Sequence, residues 1–161
     1  MSTLASKVDV LRGWPNGQAI EDSFTVDTGV TLYEGRIAML KASGNNPVVG
    51  EASTAAATLF GADAAGTPVT GLYFVITGND ANTYDGVFTG KAVVLRGPMT
   101  IQTDQLGEAV ANFEPGERVK WQHTGAGEIG KFLVAGATDQ SIGVVEKTDE
   151  VNGTIIVQLS L

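Results

Sequence analysis

Short apolar runs broken every few residues by glycine recur along this chain. Ser23-Phe24-Thr25-Val26 alternates polar and apolar, and Val30-Thr31-Leu32-Tyr33 does so again. A period of two sends alternate side chains to opposite faces of a strand, so both read as strands. Gly35-Arg36-Ile37-Ala38-Met39-Leu40 reads as a third. Leu72-Tyr73-Phe74-Val75-Ile76 is continuous, β-branched and aromatic, which suits a strand buried on both faces. Gly86-Val87-Phe88, Ala92-Val93-Val94-Leu95 and Met99-Thr100-Ile101-Gln102 follow. Arg118 to Gln122 places Val119 and Trp121 on one face, and Phe132 to Ala135, Ile142 to Val145 and Thr154 to Leu159 complete the set. Strands at this spacing predict an all-β sandwich or small barrel.

Turn residues punctuate the runs. Pro115-Gly116-Glu117 precedes the Val119 strand, and Ser43-Gly44-Asn45-Asn46-Pro47 reads as a loop. Asn152-Gly153 between β-rich segments predicts a hairpin with a two-residue type I′ turn, which needs positive φ at both central residues. Residues 51–60 are rich in Ala and Thr and predict either one short helix or an extended small-residue loop. Residues 1–22 read as an N-terminal arm and turn, with Trp14-Pro15-Asn16-Gly17 as the turn, and residues 23–161 as a single β domain.

Composition removes several functions. Among 161 residues there are 18 Asp plus Glu against 10 Lys plus Arg, a formal charge of −8. A phosphate-backbone binder needs a basic stripe, so neither nucleic acid nor an anionic membrane surface is expected as a partner. With no Cys and one His, thiolate and His-cluster metal sites are excluded. The opening Met-Ser-Thr-Leu-Ala-Ser-Lys carries no apolar leader segment, so synthesis in a cytoplasm is expected.

The chemistry-bearing motifs have plain competitors. Gly125-Ala126-Gly127-Glu128-Ile129-Gly130 spells G-x-G-x-x-G, but Lys131 to Gly136 is strand-like where a dinucleotide loop needs a helix. Asp80, Asn82 and Asp85 resemble half a calcium loop, yet Asp85 and Lys91 stand where an EF-hand needs Gly and Glu. His123 has no neighbouring nucleophile motif, and Glu114 and Glu117 flank a turn. No catalytic residue, cofactor or metal is expected. Charged residues are only 17% of the chain while 43% are hydrophobic, a surface suited to being covered by partners. Leu4, Val8, Val10 and Leu11 are the candidate apolar contacts of an arm that adds to a sheet edge, with Trp14 as its anchor. A sugar-binding or adhesive module using Trp14, Tyr33, Tyr73, Tyr84 and Trp121 is the alternative.

Taken together, the arm, Gly35 to Leu40, the Gly/Ala-rich middle, Pro115 to Val119, Ala137 to Val145 and the hairpin about Asn152-Gly153 resemble the capsid decoration (cement) proteins of tailed bacteriophages. The resemblance spans about residues 30–161. It implies a small β-barrel or β-tulip domain on the capsid exterior of the virion. Its implied partners are the major capsid protein and copies of itself, as a homotrimer or dimer, and its implied role is to stabilise the expanded head, with another phage structural role such as the tail as the alternative.

Overall fold

The computed structural model describes residues 8–12, 19–43, 45–53, 61–62, 68–78 and 91–161. The fold is all-β, built from a closed five-stranded barrel and a six-stranded sheet. The strands are β1 (Asp9–Arg12), β2 (Ile20–Val26), β3 (Ile37–Ser43), β4 (Asn46–Glu51), β5 (Gly61–Ala62), β6 (Pro68–Thr77), β7 (Lys91–Arg96), β8 (Pro98–Thr103), β9 (Arg118–Trp121), β10 (Phe132–Val134), β11 (Gly143–Asp149) and β12 (Thr154–Ser160). Among the described residues, helix is confined to one 3₁₀ turn at Val110–Asn112.

The barrel runs β3-β4-β2-β7-β6 and closes by pairing β6 with β3, while β5 adds to β6. The sheet runs β1-β8-β12-β11-β9-β10. Its far strand curls back: Phe132 donates its N–H to Gln105 O at 2.9 Å and accepts Gly107 N at 2.8 Å, just beyond β8. The barrel strands β2 to β7 therefore form an insertion between β1 and β8. The chain re-enters the sheet at Gly97, whose φ of 111° is open to glycine alone. Ile20 pairs with Arg96 and Arg12 with Thr100, so the start of β2 and the end of β1 lie on either side of that re-entry.

Burial explains the apolar runs. In β3, Ala38 and Leu40 face the barrel interior, while Ile37 and Met39 join the core shared with the sheet. In β6, Tyr73 and Val75 face inward and Leu72 and Phe74 outward into that shared core. Both strands are thus covered on two sides, as continuous apolar sequence predicts. Barrel width grows with strand number, so five strands leave little room inside. Ala38, Ala92, Val49 and Val94 fill the interior, with Phe24 edge-on to Tyr73 at 5.8 Å. On the sheet side, Ile155, Val157 and Leu159 of β12 turn in together with Val119 and Trp121 of β9.

Three expectations need correction. Val30 to Tyr33 is part of no strand; Leu32 instead enters the barrel core, and its carbonyl lies where a side chain on Gly78 would have to be. Residues 46 and 47 open β4 rather than a loop, because Val48 and Val49 hydrogen-bond opposite Lys41 and Leu40 and carry the preceding residues into register. The β11–β12 hairpin exists, but its loop is the four residues 150–153, with Asp149 paired to Thr154. Gly153 has φ 67° and, among the described residues, no non-glycine residue has positive φ, which rules out type I′ at Asn152. Asp149 caps this longer loop through its side chain instead. Of the stretch expected as helix or loop, Glu51 ends β4 and Ala52 is buried; residues 54–60 lie outside the described residues.

The segment Tyr33-Glu34-Gly35-Arg36 joins barrel to sheet. Gly35 donates to Val75 O at 2.9 Å and accepts from the Thr103 hydroxyl at 3.0 Å. Its φ is 78°, and a Cβ there would strike Val8 and Thr103. Gly29 has nearly the same φ, 76°, but nothing lies within 4 Å of a Cβ there. Gly29→Ala should therefore cost only left-handed strain, roughly 1–2 kcal/mol. Gly35→Ala adds overpacking, for roughly 2–5 kcal/mol in total. Urea denaturation of the two variants measures the difference, and equal losses would mean the Val8–Gly35–Thr103 contact contributes nothing.

Candidate contact surfaces and the buried arginine clasp

The N-terminal residues divide between core and surface. β1 lies antiparallel on β8, Val10 opposite Ile101, with a register shift between Val10 and Arg12. Val8 and Val10 are partly buried against the shared core. Leu11, at the irregularity, is 42% exposed. Leu4 and Trp14 lie outside the described residues. Of the five predicted contacts, the fold thus turns Val8 and Val10 toward the protein's own interior and leaves Leu11 facing out at a sheet edge. Ile20, at the start of β2, is 63% exposed, and its exposure was not anticipated. Its signal was present: Ile20 stands directly ahead of Glu21-Asp22, beyond the Phe24/Val26 pair that enters the barrel.

The aromatic residues considered for sugar stacking sit elsewhere. Tyr73 and Trp121 are 4% and 3% exposed, and Trp121 donates its indole N–H to Ala52 O at 3.1 Å, tying sheet to barrel. The Tyr33 ring carries the Arg36 guanidinium at 4.0 Å. Trp14 and Tyr84 lie outside the described residues, as do Asp80, Asn82 and Asp85. Among the described residues no group of His, Asp or Glu is arranged to hold a metal ion.

The glycine string at residues 125–130 has a structural use. Arg36 is only 8% exposed, and a buried charge needs partners. Its Nε donates to Gln105 Oε1 at 2.8 Å, and one terminal nitrogen donates to Gly127 O at 2.7 Å and Ile129 O at 3.4 Å. Gly125, Gly127 and Gly130 all have positive φ, which curls the loop so that carbonyls face the guanidinium. A phosphate cradle presents N–H groups; this one presents oxygen to a cation. Glu128 completes the surround, held below the usual carboxylate range first by its bond from Lys131 at 2.7 Å and also by the nearby Arg36 charge.

The surface depressions among the described residues include the following two. One, of about 570 Å³, lies where β2 and β4 pair in parallel over only two residues, and Ser23, Thr25, Asn46, Pro47 and Lys91 line it. The other, about 70 Å³, holds His123 beside Lys120, Trp121 and Asp139. Asp139 Oδ2 accepts from Lys120 at 2.6 Å and from Gly136 N at 2.7 Å, so its carboxylate is committed to them. Glu117 is similarly engaged, accepting the Glu114 N–H at 3.0 Å across the Pro115-Gly116 turn. No protein-family model matches the chain, and no curated protein or solved structure is significantly similar to it.

Asp139 titrates below its ordinary value, chiefly through the Lys120 bond and then the Gly136 N–H. A lowered native pKa means its contribution to stability is present above the unfolded value and lost as pH falls through the native one. Carboxyl-carbon NMR titration should show Lys120→Ala moving Asp139 upward toward the free-aspartate value. An unchanged midpoint would remove Lys120 as the leading cause.

Proposed function

We propose that this chain is a structural protein of a tailed-bacteriophage virion, a decoration protein that binds the outside of the capsid lattice and reinforces the expanded head. It works by shape and contact area, as a homotrimer or dimer against the major capsid protein, and turns over no substrate. The observation that carries this reading is the edge strand β1. Its inward residues fasten it to the body, while Leu11 remains exposed beside the outer edge of the sheet. An edge strand offers unpaired backbone groups to which an extended segment of a partner can add, and an exposed apolar residue supplies a side-chain anchor. The barrel clasped to the sheet supports the same reading, because a stiff body transmits load between lattice contacts with little internal give. The low proportion of charged side chains, 17%, lowers the desolvation cost of covering that body.

Purified particles lacking the protein provide the test. Adding the chain back should give a fixed stoichiometry per shell and raise the temperature at which shells open. Leu11→Asp should weaken attachment by about tenfold, the scale of one lost apolar anchor, with an unchanged circular-dichroism spectrum. No binding, or an unmoved opening temperature at saturation, would overturn the proposal.

A further inference from the structure

The tip of the β11–β12 hairpin carries reactive chemistry that a contact function leaves unused. Asn152 is exposed and is followed by Gly153, around which space is open: a Cβ there would meet nothing within 4 Å. An asparagine amide is open to attack at Cγ by the backbone nitrogen of the next residue, and glycine hinders that approach least because it has no Cβ. In this reaction the Gly153 N–Cγ bond forms and the Cγ–Nδ2 bond breaks. The attacking nitrogen's proton leaves with the amide as ammonia. Water then opens the cyclic imide to aspartate or isoaspartate.

Against this freedom, one residue grips Asn152 at two points. Its backbone N–H donates to Asp149 Oδ1 at 3.0 Å, and its Nδ2 donates to Asp149 Oδ2 at 2.7 Å. The two bonds fix the side-chain torsion that must rotate for Cγ to meet the Gly153 nitrogen, and they hold the leaving nitrogen in place. The same contacts hold the Asp149 carboxyl below its usual range. We infer that Asn152 is a site of spontaneous deamidation whose rate is set by the Asp149 carboxylate, which guards it in the folded hairpin. The product destroys its own guard. A carboxylate replaces the amide donor and faces the Asp149 carboxylate, next to Glu150. The isoaspartyl form also adds a carbon to the backbone inside a loop whose ends are fixed by the Asp149–Thr154 pair.

This inference is independent of the proposed virion role. The full-length chain is held at neutral pH and physiological temperature, and peptide mass spectrometry follows the exchange of NH₂ for OH. Asn16-Gly17, the chemical twin in the same chain, serves as the reference peptide. Asp149→Ala should speed the reaction at Asn152 several-fold and leave Asn16 unchanged. Asp149→Asn, which retains one acceptor oxygen, should fall between. Unfolding the wild-type chain in guanidinium should accelerate Asn152 as well, which keeps the idea testable if the alanine variant folds poorly. Equal rates at Asn152 in the native wild type, Asp149→Ala and the unfolded chain would overturn the inference, and so would an Asn152 that stays intact in all of them.

Discussion

A guanidinium withdrawn from water must find acceptors, and in this protein that requirement fixes how barrel and sheet meet. Arg36 stands at the entrance to β3, a barrel strand, yet its acceptors Gln105, Gly127 and Ile129 come from segments attached to the sheet. The bonds draw the 125–130 loop over the barrel's shoulder, where Gly130 O accepts the N–H of Ile37 at 2.9 Å. Breaking the arrangement would leave a charge buried without partners, a heavier penalty than the worth of the bonds themselves. The apolar faces of β3, β6 and the sheet supply most of the attraction between the two parts, but attraction alone is not directional. The arginine gives the packing one orientation.

The architecture was legible wherever local pattern and final environment agree. Leu72 to Ile76 reads as a strand with two covered faces because both faces are covered, and Ile155, Val157 and Leu159 alternate because one face of β12 looks outward. Reading failed where a distant partner decided the outcome. Val30 to Tyr33 alternates like a strand, yet Leu32 enters the barrel core and the segment is part of no strand. Asn46-Pro47 carries turn residues, yet pairing with Ser43 and Ala42 makes it strand. In the hairpin, the acidic residue three before Asn152 altered the turn, and dipeptide statistics do not contain that contact.

The candidate surface shows the same division. Alternating valines at 8 and 10 resemble a free arm in isolation; their partners, Gly35 and the core beneath Ile101, are far away along the chain. The G-x-G-x-x-G string is followed by a strand, as its sequence suggests, but its use as a carbonyl cradle depends on Arg36, almost a hundred positions earlier. Ile20 is marked by the acidic pair that follows it, whereas Leu11 carries no such signal and is exposed where the β1–β8 register shifts.

The placement of the barrel as an insertion also bears on how the molecule is made. β1 leaves the ribosome before the barrel, but the strand it lies on follows the barrel, so Val10 waits for Ile101 while the whole barrel is made. The barrel's own pairings close among nearer residues and can be complete before then. Assembly is therefore ordered by vectorial emergence: an early, self-contained ring, then a late sheet of high contact order that gathers in the waiting first strand and seals the shared interior.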